Sequence, residues 1–294
     1  MGKIISLIEF QNKVGNLVGY KGRDGRNVIR FQPYGVKKSR VKPLQMQRIK
    51  FGNLVNMFQA FNGAIAGAFP GKKAGQTDFN AFMQANLSLA HVALTKQEVT
   101  LGAAVVEELQ LSTGELEPIE VSMEVGGKMR TDLSLGELEL TSETYVSEFS
   151  QAIIENNPDH DFRNGDNIAC LIVTQRTSGS DNLPRVHVTK SIVTLDTTDT
   201  VNKLYNVVNP AGFGVVDGCL GTKSAVNGGI AWIHKSVRSE RPAVSTQRLV
   251  VNNDLLANYT STDAVNRSLA SYGGVTEQWL YDNHGLEGDA IAQP

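Results

Sequence analysis

The chain has few cysteines and no long apolar run. Cys170 and Cys219 are its two cysteines, and two thiols make neither a disulfide framework nor a zinc site. Cys170 lies in the apolar run IACLIV, which predicts a buried, reduced thiol. No apolar stretch approaches the roughly 18–20 residues that a membrane helix needs. The start, MGKIISLIEF, also lacks the apolar core of a secretory signal, so we expect synthesis in the cytoplasm and no membrane partner.

Motifs for catalysis and cofactor binding are missing as well. The five histidines do not stand at HxH or HExxH spacing, and the sequence contains neither GxSxG nor GxxxxGK[ST]. Gly212-Phe213-Gly214 lacks the third glycine of a dinucleotide loop. In the stretch DHDFRNGD, the sixth and twelfth positions of a calcium loop fall on Asn164 and Cys170 instead of Gly and Glu. We therefore predict no catalytic residue, no metal, no cofactor and no enzyme activity.

Positive charge is concentrated in the N-terminal part of the chain. Residues 1–50 hold twelve lysines and arginines against two acids, a net charge of +10, whereas the whole chain carries −2. A domain does not need this segregation to fold, so it predicts an anionic partner, either a nucleic acid or an acidic protein surface. The candidate contacts are Lys21, Arg23, Arg26, Arg30, Lys37, Lys38, Arg40, Lys42, Arg48 and Lys50.

Aromatic side chains alternate with these charges, and an acidic block follows them. Tyr20, Phe31 and Tyr34 lie among the cations, a combination that suits phosphate contact and base stacking. Residues 98–148 hold twelve acids against two basic residues, a net charge of −10. The basic arm suits this acidic block of a neighbouring copy equally well, because opposite patches on one chain favour head-to-tail contact.

The N-terminal region is predicted to contain a β-hairpin and two helices. Residues 13–32 carry β-rich runs on either side of GRDG, a turn signal. Pro43 suits the first turn of a helix that ends before Pro70, and Thr77 or Asp78 would cap a second helix, FNAFMQANLSLAHVAL. The two helices would form an αα-hairpin whose aromatic residues face a core or another subunit.

Short alternating segments dominate the rest of the chain. Residues 99–140 are broken by Gly and Pro, which indicates an antiparallel sheet or sandwich. Further strands are predicted at 168–175, 185–195, 228–237 and 244–251, helices at 142–156, 254–258 and 263–271, and an irregular glycine-rich stretch at 209–227. The predicted fold is α+β: a basic N-terminal hairpin and αα-hairpin (1–97), an antiparallel β-sandwich-like domain (98–251) and a partly helical C-terminal tail (252–294).

Several short motifs carry a family resemblance. They are MGKI, KVGNLVG, Arg30-Phe-Gln-Pro33 followed by Val36, QMQRIKF, FNAFMQANL and, further on, AWIHKSV and VSTQRLVV. On these the chain resembles an uncharacterised family of Bacteroidota and their phages, catalogued as a domain of unknown function, chiefly over residues 1–90. The resemblance implies a basic N-terminal module and sandwich-like β-structure, and it brings no known activity or site residues.

The two charged blocks and the missing motifs lead to a functional hypothesis. We predict a non-enzymatic structural subunit of a large assembly, namely a capsid, portal-ring or tail protein of a phage virion. It would form homo-oligomers and contact other assembly proteins. Its basic arm would dock on an acidic neighbour. The alternative is a cytoplasmic nucleic-acid-binding protein that uses the same arm on phosphates.

Overall fold

The computed structural model describes residues 4–6, 12–22, 25–32, 42–73, 75–178, 181–238 and 240–273. Its fold is α+β with several antiparallel sheets, as the sequence predicts. The helices are α1 (Lys42–Phe61), α2 (Asp78–Asn86), α3 (Lys96–Thr100), α4 (Val146–Asn156), α5 (Leu204–Val207), α6 (Leu256–Thr260) and α7 (Thr262–Ser271). The strands are β1 (Ile4–Ser6), β2 (Asn12–Val14), β3 (Leu17–Lys21), β4 (Asn27–Phe31), β5 (Gln110–Ser112), β6 (Val121–Met123), β7 (Met129–Ser134), β8 (Asn167–Ser178), β9 (Leu183–Thr194), β10 (Gly214–Val216), β11 (Cys219–Gly221), β12 (Gly228–Arg238), β13 (Arg241–Val244), β14 (Gln247–Arg248) and β15 (Val250–Asn252).

A five-stranded antiparallel sheet lies at the centre of the fold. Its order is β13-β12-β8-β9, with β15 also paired to β12, and its three long strands confirm three of the predicted ones. Trp232 lies opposite Cys170, and Ile233 lies opposite Ala169, so the two pairs face opposite sides of the sheet. All four side chains are buried. Both faces are therefore covered, which explains why β8 and β12 contain long apolar runs.

The αα-hairpin of α1 and α2 covers one face of this sheet. The Phe82 ring packs against Phe58 and Phe61, with centroids 5.4 and 5.9 Å apart. These helices share a buried cluster with Leu171 and Ile233 of the sheet. The aromatic residues Phe61 and Phe82 of the helical hairpin thus form core, and the same cluster includes residues on both sides of position 97.

Helix α4 and a four-stranded sheet cover the opposite face. That sheet has the order β10-β11-β7-β6, and its β10 and β11 lie within the stretch that the sequence predicted to be irregular. Phe149 of α4 packs against Phe213 with ring centroids 5.9 Å apart. Trp232 of the central sheet donates its indole N–H to the Gly212 carbonyl at 3.0 Å. The molecule is therefore layered as helices, sheet, then helix with a second sheet.

Buried amide side chains connect distant segments. Asn53 of α1 is fully buried; it donates to the Val105 carbonyl and the Glu107 carboxylate, at 3.0 and 2.7 Å, and accepts from the Val105 N–H at 2.9 Å. Burial raises the pKa of the Glu107 carboxyl, although hydrogen bonds from Asn53 and from the His91 and Val92 amides oppose this. Gln175 of β8 makes similar bonds to the backbone of the same segment.

Helix α2 is shorter than the sequence predicts. Thr77 caps it as expected, accepting from the Asn80 N–H at 3.3 Å, but it ends at Asn86. The Asn86 side chain bonds the backbone carbonyl and N–H of Gln110, which ties the helix end to β5. Residues 87–94 are therefore not helical, and Val92 and Leu94 form a buried cluster with Ala103 and Val105, against which Val99 of α3 packs.

The N-terminal region forms a four-stranded antiparallel sheet, ordered β1-β4-β3-β2. The predicted hairpin is present as β3 and β4, closed by a bond from the Gly25 N–H to the Gly22 carbonyl at 2.9 Å. Its first strand is split, because the chain turns at Gly15 with φ of 56° and separates β2 from β3. Glycine adopts this left-handed conformation without a Cβ clash.

Helix α1 ends at Phe61, where Asn62 and Gly63 take φ of 41° and 79°, and does not continue to Pro70 as predicted. Three more boundaries differ from the prediction. The segment 99–140 holds part of α3 as well as β5, β6 and β7. Helix α4 starts four residues later than expected, where Glu148 accepts from the Tyr145 N–H at 2.8 Å. The run 244–251 is divided among β13, β14 and β15, and the break between β14 and β15 falls at Leu249, which is buried and whose N–H bonds the Leu109 carbonyl. None of the described helices, the longest being the 20-residue α1, has the length and apolar character needed to cross a bilayer.

Candidate functional site

The predicted contact residues occupy two elements of the described structure. Tyr20, Lys21, Arg26, Arg30 and Phe31 belong to the β3–β4 hairpin. Lys42, Arg48 and Lys50 lie on α1. The members that fall outside the described residues are Arg23, Tyr34, Lys37, Lys38 and Arg40.

The hairpin presents an aromatic–cation pair to solvent. The Arg30 guanidinium lies 5.4 Å from the centroid of the Tyr20 ring, and Tyr20 is 42% exposed. Phe31 is 71% exposed but pairs with Leu17, three residues before Tyr20 on the same strand. Because side chains alternate across a strand, Phe31 and Tyr20 lie on opposite faces. The three-residue aromatic set is thus not one platform among the described residues.

Helix α1 lines an apolar groove that the sequence analysis did not single out. Leu44, Phe51 and Val55 recur at helical spacing, and Leu44 and Phe51 are 43% and 45% exposed. The opposite wall consists of Leu87, Val99 and Tyr272, and Arg48 also lines the groove, which encloses about 530 Å³. The signal was present as a second apolar stripe on α1 beside the buried one, but periodicity alone does not tell which stripe is covered.

Gly52 allows the opposite wall of this groove to approach α1 closely. Gly52 is buried in the middle of α1, where glycine costs about 1 kcal/mol relative to alanine. A Cβ at this position would lie 2.7 Å from a Val99 methyl and 3.3 Å from the Tyr272 hydroxyl. The glycine is therefore explained by the close approach of α3 and the end of α7 to α1.

A buried cluster around Asp166 is the strongest candidate for chemistry. The Asp166 carboxylate accepts from His234 Nε2 at 2.8 Å, from Arg238 at 3.1 Å, and from the Ser236 hydroxyl. The Arg163 N–H also donates to it, at 3.0 Å. Burial lowers the pKa of His234, which favours a neutral ring that donates through Nε2.

The connectivity of this cluster does not match nucleophilic catalysis. A serine nucleophile needs its hydroxyl bonded to a histidine base that a carboxylate orients. Here Ser236 and His234 both bond Asp166, so the histidine is not placed to remove the serine proton. The Asp166 carboxylate instead accepts hydrogen bonds from β12 and from the loop before β8, and the cluster thereby joins these two segments. Nearby, Asp132 bonds His160 Nε2 at 3.2 Å and raises the pKa of that imidazole.

The acidic block is mostly exposed at the surface. Nine of its twelve carboxylates belong to exposed residues, which are Glu108, Glu115, Glu117, Glu120, Asp132, Glu137, Glu139, Glu143 and Glu148. Within the described ranges, no ion pair of 4.0 Å or less joins residues 1–50 to residues 98–148. The ion pairs recorded for the glutamates of this block join Glu124 to Arg130 and Glu143 to Lys203.

No metal site was found in the described part of the chain, where no group of three or more His, Cys, Asp or Glu could hold an ion. No family model, curated protein or solved structure matches the chain. The resemblance to the Bacteroidota and phage family therefore stays a prediction.

Proposed function

We propose that this protein is a structural subunit of a large assembly of the phage-particle type, such as a capsid, portal ring or tail. Its basic N-terminal arm (residues 1–50) docks on the acidic block (residues 98–148) of a neighbouring copy. The observation that carries the proposal is the opposite charge of these two regions, +10 and −10. A virion location, after synthesis in a bacterial cytoplasm, follows from that role.

The exposure of the acidic block supports this docking. Glu115, Glu117 and Glu120 lie between β5 and β6, and all three are exposed. Carboxylates concentrated at one surface attract a cationic segment and orient it during encounter. Because the two patches differ, contact between copies is head-to-tail, and such contacts generate rings or open filaments.

The test is a charge reversal with rescue. Changing Lys37, Lys38 and Arg40 together to Glu should convert oligomers into monomers, measured by light scattering after size exclusion. The separate triple change of Glu115, Glu117 and Glu120 to Lys should do the same. Combining both sets should restore the oligomer, since the attraction is re-formed with its signs exchanged.

The matched control changes three exposed basic residues outside the arm, Lys96, Arg241 and Arg267, to Glu. It changes net charge by the same amount and should leave the oligomer intact. A wild-type chain that stays monomeric at high concentration, or a control as disruptive as the arm variant, contradicts the proposal.

A second candidate function is nucleic-acid binding, favoured by the exposed Tyr20–Arg30 pair, since exposed aromatic rings stack on bases. The phosphate contacts would come from Lys37, Lys38, Arg40, Lys42, Arg48 and Lys50. The isolated chain would then bind single-stranded DNA or RNA with affinity that falls steeply with salt, and Tyr20→Ala would weaken binding. Oligomers that form without nucleic acid and do not retain it favour the assembly role.

A further inference from the structure

Helix α1 has two apolar stripes, and the described structure covers one of them. Ile49, Met57 and Phe61 are buried against the fold. Leu44 and Phe51, on the second stripe, leave nearly half of their surface exposed beside the groove. Large apolar side chains at this exposure that line one groove mark an interaction surface more than ordinary surface variation.

We propose that the groove binds the C-terminal segment of the same chain, residues 274–294, with Trp279 seated between Leu44 and Phe51. The segment begins at the groove, because α7 ends at Ser271 and Tyr272 forms part of the groove wall. Its sequence, GVTEQWLYDNHGLEGDAIAQP, contains the apolar and aromatic run Trp279-Leu280-Tyr281. An indole is a side chain of suitable size and polarity for an apolar groove with one cationic wall residue.

The chain length between the groove wall and Trp279 is sufficient. Trp279 lies seven positions after Tyr272, and an extended chain spans about 23 Å over that length. The second stripe, from Leu44 to Val55, spans eleven residue steps of helix, or about 16 Å. The segment therefore reaches any point of the stripe without moving α7.

Charge complementarity also favours this occupant. The segment contains four acids, Glu277, Asp282, Glu287 and Asp289, and no lysine or arginine. Helix α1 contains Lys42, Arg48 and Lys50 and no acid. Covalent attachment favours the groove of the same copy over the groove of another copy, because a segment joined to the groove wall has an effective concentration in the millimolar range. The inference does not depend on the proposed assembly role.

Tryptophan fluorescence of the full-length protein tests this inference. The chain has two tryptophans, and Trp232 is fully buried in the central sheet. Subtracting the signal of Trp279→Phe from that of the wild type isolates Trp279. We expect Trp279 to be quenched by acrylamide several-fold less than the tryptophan of a free peptide of residues 274–294.

Variants of the groove separate docking from unspecific burial. Leu44→Asp and, independently, Phe51→Asp should raise the quenching of Trp279 to the peptide value, with Trp232 emission in the Trp279→Phe background as the folding check. The matched control is Val201→Asp, an equivalent change at a side chain that is 82% exposed and remote from α1 in sequence. It should leave Trp279 protected.

Three outcomes would overturn the proposal. Trp279 could be as accessible in the wild type as in the peptide. Quenching could be equal in the groove variants and the Val201→Asp control. Protection could decrease on dilution, which would show that the segment binds a second copy and not its own groove.

Discussion

At the scale of single residues, the buried polar groups show how this fold handles charge. Asp166 is almost fully buried, yet a histidine, a serine, an arginine and a backbone N–H all donate to it. A buried carboxylate is tolerated when its lone pairs are saturated in this way. Cys170 lies on β8 and is buried, as the sequence predicts. This burial raises the pKa of its thiol.

His160 and Asp132 yield a prediction about pH. The hydrogen bond from Asp132 raises the pKa of His160 above its unfolded value of about 6.5. The contribution of the pair is therefore fully present below pH about 6.5 and lost as the pH rises through the folded pKa. Asp132→Asn should remove that pH-dependent contribution, measured by denaturant unfolding from pH 5 to about 8.5.

The quantity to compare is the pH dependence of stability of the wild type minus that of Asp132→Asn. Burial lowers the pKa of His234, so its contribution has the opposite sign and is lost as the pH falls below about 6.5. Both proteins keep His234, so the effect of its burial, the largest cause of its pKa shift, is common to both. A stability difference between wild type and Asp132→Asn that stays constant across this pH range would refute the coupling, and histidine NMR titrations would show it directly.

At the scale of elements, α1 is fixed to the fold by asparagines as well as by apolar contacts. Asn56 donates to the carbonyls of Val99 and Ala103, at 3.1 and 2.7 Å. Asn53 satisfies both backbone groups of Val105. The helix is thereby held in one axial position against the segment that follows α3, and the groove takes its shape from that position.

Asn53→Ala should therefore destabilise the protein. The change leaves the Val105 N–H and C=O and one oxygen of Glu107 without their partner, and each buried unsatisfied group costs about 1–3 kcal/mol. We expect the free energy of unfolding to fall by about 3 kcal/mol, measured in urea at constant m-value. The control is Asn80→Ala on α2, an exposed helical site where a change within about 0.5 kcal/mol is expected. An equal effect at both positions would mean that the Asn53 bonds contribute little.

Which elements could be predicted depended on how local their determinants are. The long strands β8, β9 and β12 and the cap at Thr77 follow from alternation and from residues adjacent in sequence. The end of α2 at Asn86 depends on Gln110, which lies 24 residues further along the chain. The groove was not predicted, because its Leu87, Val99 and Tyr272 come from three separate segments.

At the scale of the whole molecule, electrostatics dominate the proposed assembly. The chain is close to neutral overall, with a net charge of −2, so self-repulsion does not oppose association of copies. The favourable contribution is the attraction between the arm and an acidic block that holds twelve acids and only two basic residues, with nine of the acids exposed. Such an attraction is long-range at low ionic strength and screened at high ionic strength.

The oligomer should therefore dissociate with salt. The screening length falls from about 10 Å at 0.1 M to about 3 Å at 1 M, so the mass in solution should drop over this range. Contacts based on apolar burial would persist or strengthen under the same conditions. The arm variant with Glu at positions 37, 38 and 40 is the control, and its mass should not depend on salt. A wild-type mass that rises with salt would contradict an electrostatic interface.

The sequence by itself determined the α+β class, the aromatic faces of the helical hairpin and the separation of charge into two blocks. These properties depend on periodicity and composition, which are local or additive. Tertiary structure alone decided that Asn53 bonds Val105, that Asp166 collects donors from β12, and that one stripe of α1 is left beside a groove. The partner of a buried polar group, and the covering of an apolar face, depend on which distant segments the folded chain brings together.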